Sequence, residues 1–353
     1  MKKTVFILFL LAVAGFSPVA AYADVKVVES ESTYVLGDND SKIDARRIAT
    51  QEAKRKALEL AGTYVESLTQ VKNYQLTRDE IKSYTAGVLE TDIVSEQMLG
   101  TTEHPEIYIK TRCAIDTAIL MAQIDKFQEN EDLKEQVDAT AKENEDLRKE
   151  RDALVKQLSS EKNKVKAEET RQKLDLVLSK EEANDETQKV WIALGSQLAP
   201  ADENDRQIKQ PDLDASRVVL QKAVTANPQN LRARLMLAAI YQKQGNTAAA
   251  EEQLRAAVQR HPSGIIPRIR LGVLLKDEGN YQEALQQFRF VERMKPHNPS
   301  MLFSTGMLFK QMGNCTMSVQ YLNRFLKNPR RVMNYSLKKQ QAIQTIKECR
   351  QNR

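Results

Sequence analysis

Residues Leu231 to Gly264 read LRARLMLAAIYQKQGNTAAAEEQLRAAVQRHPSG, and the two blocks that follow, 265–298 and 299–332, repeat the plan at the same length. Each block carries a small pair at one offset: Leu237-Ala238, Leu271-Gly272 and Thr305-Gly306. Tyr241, Leu275 and Phe309 come next, and then Gly-Asn at 245, 279 and 313, a strict period of 34 residues. Ala250, Ala284 and Ser318 open the second half of each block. Leu254, Phe288 and Leu322 follow, with Pro262, Pro296 and, one place early, Pro329 closing it. Three copies in register exclude coincidence, and this period is that of an array built from helix, tight turn, helix.

Each recurring residue has a steric reason. The small pair lies where two helices cross closely, and the Gly of Gly-Asn supplies the left-handed backbone that ends the first helix. Ala250 and Ala284 start the second helix where a larger side chain would push its neighbour away, and the closing Pro stops that helix. Residues 183–230 hold a degenerate copy: Trp191, Leu194 and Gly195 open it, and Ser216, Leu220, Ala223 and Pro228 match its second half. A loop from Pro200 to Pro211 is inserted between the two, either as a plain insertion or as a partner contact, and Trp191 reads as a capping core residue.

These motifs resemble the tetratricopeptide repeat. The resemblance implies antiparallel helix pairs stacked into a right-handed superhelix whose concave face binds a peptide or partner protein. It places the lining at positions 2, 5, 9 and 12 of each first helix. These are Arg232, Leu235, Ala239 and Gln242; Ile266, Ile269, Val273 and Lys276; Ser300, Phe303, Met307 and Lys310. Family members that clamp a terminal carboxylate carry Asn at position 9, where this chain has Ala, Val and Met. The groove so drawn has an apolar floor and cationic edges at Arg232, Lys276 and Lys310, and it suits an apolar or acidic segment of a partner. Some of these side chains could instead contact only the neighbouring repeat.

The chain opens with Met1-Lys2-Lys3, an apolar run from Val5 to Ala14, and Ala21-Tyr22-Ala23, which is the plan of a cleavable secretory signal over residues 1–23. The run is far short of the ~20 residues that span a bilayer. A mature start at Asp24 and a periplasmic location are expected, with an uncleaved anchor as the alternative. Lys and Arg number 53 against 48 Asp and Glu, so neither charge balance nor export favours a nucleic-acid partner.

Residues 24–120 form a different unit. Val25, Val27 and Tyr34 to Leu36 predict an opening strand, and Asp38 to Asp40 with Ser41 offer helix caps. Asp44 to Ser67 predicts a helix with Ala45, Ala49, Ala53, Ala57 and Ala61 on one stripe, suited to close packing on a sheet. A short helical piece near Thr77 to Ser83 and Gly87 lead to a strand over Val88 to Gln97, and Glu106 to Ile115 alternates with period two. This order, with Asp44-Ala45-Arg46, Ala49, Ala53, Ala57, Gly62, Gly87 and a closing strand to Cys113, resembles the N-terminal domain of flagellar assembly protein T. The resemblance implies support of envelope and flagellar-ring structures without catalysis.

Residues 121–182 lack Pro and Gly and carry Asn130, Leu133, Val137, Thr140, Asn144, Leu147, Arg151, Leu154, Leu158 and Val165 on alternating three- and four-residue steps. That is the seam of a coiled coil, and an inner Asn such as Asn144 fixes register. The expectation is a parallel homo-oligomer, dimer or trimer, with a solitary spacer helix as the alternative. The rod would be roughly 80 Å long and would hold the end domains apart.

Catalytic chemistry is not legible anywhere. His104, His261 and His297 each abut a proline and have no partner at metal-ligand spacing. No phosphate-cradling loop or Gly-x-Ser-x-Gly elbow is present, so no cofactor, metal or catalytic residue is expected. Cys315 opens the second helix of the last repeat and Cys349 closes a terminal helix, Ser336 to Arg350. Antiparallel packing about a turn near Arg331 would bring the thiols to one end, as a disulfide or as two separate thiols. Cys113 reads as buried. From Arg324 onward nine basic residues face Glu348 alone, so a solvated cap surface or peripheral contact with anionic lipid fits the tail.

The whole reads as an α+β head, a coiled-coil helix and an all-α solenoid over 183–353, mostly helical overall. Functionally it is an exported scaffold of envelope or flagellar assembly. An accessory coordinator of wall synthesis or outer-membrane constriction is a rival, because coiled coil plus these repeats also resembles the periplasmic coordinator of that process. An enzyme with an unrecognised site in the head is the other rival.

Overall fold

The computed structural model describes residues 25–71, 81, 85, 91–116, 131–198, 212–328 and 334–351. The signal segment and its expected Asp24 junction, most of the helical piece at 77–83, Gly87, the first ten residues of the expected coiled coil, the inserted loop and the turn near Arg331 lie outside them.

The head begins with β1 (Val25–Val35), followed by α1 (Lys42–Val71), β2 (Thr91–Gly100) and β3 (Pro105–Asp116). The three strands form an antiparallel sheet in the order β1-β3-β2. Val28 stands opposite Cys113 and Tyr34 opposite Ile107, while β2 carries a bulge between Ile93 and Ser95. Period-two alternation puts Ile107, Ile109, Cys113 and Ile115 on the buried face, where the small side chains of Ala45, Ala49, Ala53, Ala57 and Ala61 let α1 approach. The approach is close enough that the Ser30 hydroxyl donates to the Ala53 carbonyl at 2.5 Å. Ser41 starts the helix: its hydroxyl accepts from the Asp44 amide at 3.0 Å and donates to the Asp44 carboxylate at 2.6 Å.

The expected continuous rod is not what forms. α2 (Glu131–Ser160) and α3 (Lys164–Leu198) are separated by residues 161–163 and pack against each other as an antiparallel hairpin. Two side chains make the break. Asn163 caps α3, accepting from the Val165 amide at 2.9 Å, while Asn39 reaches over from the head and donates to the carbonyls of Leu158 and Glu161 at 3.0 and 2.9 Å. The seam residues Leu147, Leu154 and Leu158 then meet Leu174, Val177 and Leu178 of the same chain. Asn144, expected to set the register of a second copy, accepts from Asn184 of α3 at 2.8 Å. The seam residues read as facing a second copy thus face α3 of the same chain.

The head is not held at a distance either. Arg47 of α1 pairs with Asp175 and Glu182 of α3, both at 2.6 Å, and Lys54 pairs with Asp185 at 2.5 Å. Inside the hairpin, the Arg151 guanidinium donates to Glu181 at 3.1 Å, and both are buried. Burial pushes the Glu181 carboxyl up from 4.5 to about 7, against the pull of Arg151. The folded chain then binds more protons here than the unfolded chain between those values, so this group's stabilisation is complete below 4.5 and lost as pH rises through 7. A Glu181→Gln variant should gain on the wild type by about 1 to 3 kcal/mol between acid and neutral pH in paired urea titrations. A difference that does not vary with pH would refute the assignment.

Ten of the eleven helices described lie outside the head, and the array follows the period of the sequence. The pairs are α4 (Leu213–Ala226) behind the C-terminal part of α3, α5 (Leu231–Lys243) with α6 (Thr247–Arg260), α7 (Ile265–Asp277) with α8 (Tyr281–Met294), and α9 (Pro299–Gln311) with α10 (Cys315–Leu326). Gly245, Gly279 and Gly313 have φ of 73°, 84° and 75°, the left-handed conformation expected of a helix end. The following Asn starts the next helix: Asn246 and Asn314 accept from the amides of Ala249 and Met317 at 3.1 and 3.0 Å. At the crossings, a Cβ on Gly272 would stand 2.5 Å from the Phe288 ring, and one on Gly306 would stand 2.6 Å from Leu322.

The last element, α11 (Tyr335–Gln351), caps the stack against α9 and α10. Continuing the period would put Gly-Asn at 347 and 348, where the chain has Lys347-Glu348. The helix therefore runs on and delivers Cys349 to Cys315, to which it is bonded with a Cα–Cα distance of 5.1 Å.

Candidate partner-binding groove

The first helices α5, α7 and α9 line one side of the array, and the structure divides their twelve expected lining residues into two rows. At positions 2 and 5, Arg232, Leu235, Ile266, Ile269 and Ser300 are buried, and Phe303 is half-buried. At positions 9 and 12, Ala239, Val273, Lys276, Met307 and Lys310 are half-exposed and Gln242 is exposed. The cause of the closure is α2, which lies against α5 and α7. Its Glu143 accepts from Asn227 at 2.6 Å, and its Glu135 pairs with Lys295 at 3.3 Å. At the other end, α10 and α11 cover Phe303: the Phe325 ring of α10 packs against it at 5.3 Å and the Lys338 ammonium of α11 sits 5.7 Å above it.

Arg232 is consequently not a cationic edge. It is 2% exposed, its guanidinium lies 4.8 Å over the Trp191 ring, and one of its nitrogens donates to Gln188. Its other two guanidinium nitrogens have no hydrogen-bond partner, and burial lowers its pKa to about 10. Trp191 does more than cap a repeat, since it packs against both the head cluster around Ala57 and Cys113 and the array cluster around Leu220 and Leu237.

The remaining cations on the groove are Lys276, paired with Asp277 at 2.7 Å, and Lys310, paired with Glu348 at 3.3 Å. Thr345 of the cap donates to the Met307 sulfur at 3.7 Å, so Met307 marks where the groove floor meets its end wall. The open surface is thus one stripe of Ala, Val and Met with Gln242, Lys276 and Lys310 along its side.

A polar cluster that sequence reading missed holds the hairpin to the array. Asn227 and Asn230 donate to the Asn184 carbonyl oxygen at 2.9 and 2.8 Å. Asn230 also donates to the Thr187 hydroxyl at 3.1 Å and accepts from the Ala233 amide at 2.8 Å. Its one signal in the sequence was the Asn on either side of the Pro228 junction, Asn227 and Asn230.

In the open cleft of the head, Lys110 binds Glu29 at 2.6 Å, the Tyr108 hydroxyl donates to Glu31 at 2.7 Å, and Arg55 binds Glu59 at 2.5 Å. Burial raises the Cys113 thiol to about 11, well away from a reactive thiolate. Among the described residues no group of His, Cys, Asp and Glu could hold a metal ion.

The family model that matches this chain is described as tetratricopeptide repeat and covers residues 207–265. The C-terminal half is a tetratricopeptide-repeat array. Solved structures similar to the chain include three. One is YrrB, described as a tetratricopeptide-repeat protein with an unusual peptide-binding site, at 17% identity over 54% of this chain and 85% of that one, TM-score 0.36. Another is MamA, at 16% identity over 46% and 86%, TM-score 0.33. The third is the pilF protein of Pseudomonas aeruginosa, at 20% identity over 49% and 74%, TM-score 0.38. No curated protein matches the chain.

Proposed function

We propose that this chain is an exported, non-enzymatic scaffold of cell-envelope or flagellar assembly that holds a partner protein or peptide on the open stripe of its tetratricopeptide array. The observation that carries the reading is the division of the groove: side chains at positions 9 and 12 stay accessible, while five of the six at positions 2 and 5 are buried and the sixth, Phe303, packs against Phe325. The signal-like start, Met1 to Ala23, supports export, and the bonded Cys315 and Cys349 suit an oxidising compartment. The head's likeness to the flagellar assembly protein supports the envelope role. Its charged cleft, with each acid named above already engaged, supports a structural rather than catalytic one.

The experiment uses the stripe itself. Ile269 is 7% exposed within the array core, so a charge placed there would unfold the array and report nothing about binding. Val273→Glu with Met307→Glu changes half-exposed positions instead. The double variant should keep its helical signal and melting temperature while losing partners captured by a photocrosslinker at Gln242. Undiminished capture would sink the assignment.

A further inference from the structure

The stripe has a geometry that constrains what lies on it, given that it is the binding surface proposed above. Lys276 and Lys310 occupy position 12 of α7 and α9, first helices of consecutive repeats that pack together. Packed helix axes stand roughly 10 Å apart, so a ligand crossing them meets an ammonium about every 10 Å, beside the apolar row of Ala239, Val273 and Met307.

Three backbones can be tested against that spacing. A β-strand advances about 3.3 Å per residue and alternates faces, so side chains on one face recur at about 7 or 13 Å and miss the second Lys. A polyproline helix returns to one side after three residues, about 9 Å. An α-helix returns after seven residues, about 10.5 Å, and places a continuous apolar stripe beside its carboxylates. The chain itself discriminates between the last two. The neighbouring half of the same groove is already filled by an α-helix, α2, whose Glu143 and Glu135 meet Asn227 and Lys295 at the repeat junctions. Each Lys engages one carboxylate at present, Asp277 and Glu348, and an ammonium with three donors can accept a second.

We infer that the partner segment is an acidic amphipathic α-helix, with carboxylates at seven-residue spacing, that lies alongside α2 and places those carboxylates on Lys276 and Lys310.

The test titrates the full mature chain with three fluorescent synthetic peptides of roughly three heptads each. One is a helix former with Glu at one heptad position and Leu and Ala beside it. The second has the same number of Glu on a proline-rich backbone of the same length, placed at successive three-residue steps. The third is the helix former with Lys for Glu. The acidic helix should bind saturably, weaken about tenfold in a Lys276→Glu, Lys310→Glu variant that melts like the wild type, and weaken again between about 50 and 300 mM salt. The Lys peptide should not bind. Preference for the proline-rich peptide, equal binding of the Lys peptide, no saturable binding of the acidic helix, or indifference to the two Lys substitutions would each overturn the inference. The groove reading fails separately, if Val273→Glu with Met307→Glu leaves natural partners captured.

Discussion

Replacing Asn184 with Leu is expected to lower folding stability by about 3 to 5 kcal/mol, more than any surface change in the hairpin. Asn184 lies between three elements: it donates to Asn144 of α2 and accepts from Asn227 and Asn230 at the junction between α4 and α5. Asn184, Asn227 and Asn230 are all nearly inaccessible to solvent. Truncating the hub leaves two buried amide groups short of an acceptor, each costing about 1 to 3 kcal/mol. The second consequence separates this cluster from ordinary core packing. The hairpin would keep its Glu143–Asn227 and Glu135–Lys295 contacts but lose the amide that ties α2 to α3 and both to the junction, so α2 amides should exchange with solvent before those of α7 and α9. Hydrogen exchange read by mass spectrometry checks both, and uniform protection across α2 and the array would contradict the role given to Asn184.

The array was legible because each of its sequence marks answers a local steric demand. Gly245, Gly279 and Gly313 must be left-handed, and Gly272 must let Phe288 approach, whatever the rest of the chain does. The head was legible for the same reason, since period two on β3 and an Ala stripe on α1 have few other uses. The hairpin was not. The local signal is weak: of Glu161, Lys162 and Asn163 only Asn163 acts at the break, as the cap of α3, and none of the three by itself ends a helix. The break is fixed by Asn39, more than a hundred residues earlier in the chain, supplying donors to the carbonyls at the end of α2. Asn144 is ambiguous for a related reason, because a polar seam position reads alike whether its partner is a second copy or the returning helix, and here it accepts from Asn184 of the returning helix. The groove shows the same limit. Counting offsets put Arg232 on its rim, and only the position of α2 and Trp191 turns that side chain into a buried one. What the sequence offers is the polar stretch at 159–164, Ser-Ser-Glu-Lys-Asn-Lys, with the spaced apolar positions Leu147, Leu154 and Leu158 before it and Leu174, Val177 and Leu178 after it.

The cap gives the other large effect. Removing both thiols, Cys315→Ser with Cys349→Ser, should lower stability by about 3 to 4 kcal/mol, since the bond closes a loop of 34 residues and restricts the unfolded chain accordingly. The loss should fall unevenly. α11 is held to α9 and α10 by Ala342, Ile346 and the rings of Phe303, Phe325 and Tyr335, and it carries exposed Leu337 and Ile343 on its other face. That is a modest apolar contact for a terminal helix, so α11 should fray first while α5 to α8 stay protected. The groove would feel it directly. Lys310 would lose Glu348 and Met307 would lose Thr345, opening the end wall of the stripe. Thermal unfolding of the wild type with and without reductant, beside the double Ser variant, checks the magnitude. An unreduced, unfolded wild-type chain should titrate one free thiol, Cys113. Three free thiols, or melting that reductant does not change, would show that the cap is held by packing alone and that its helix needs no covalent tie to stay on the stack.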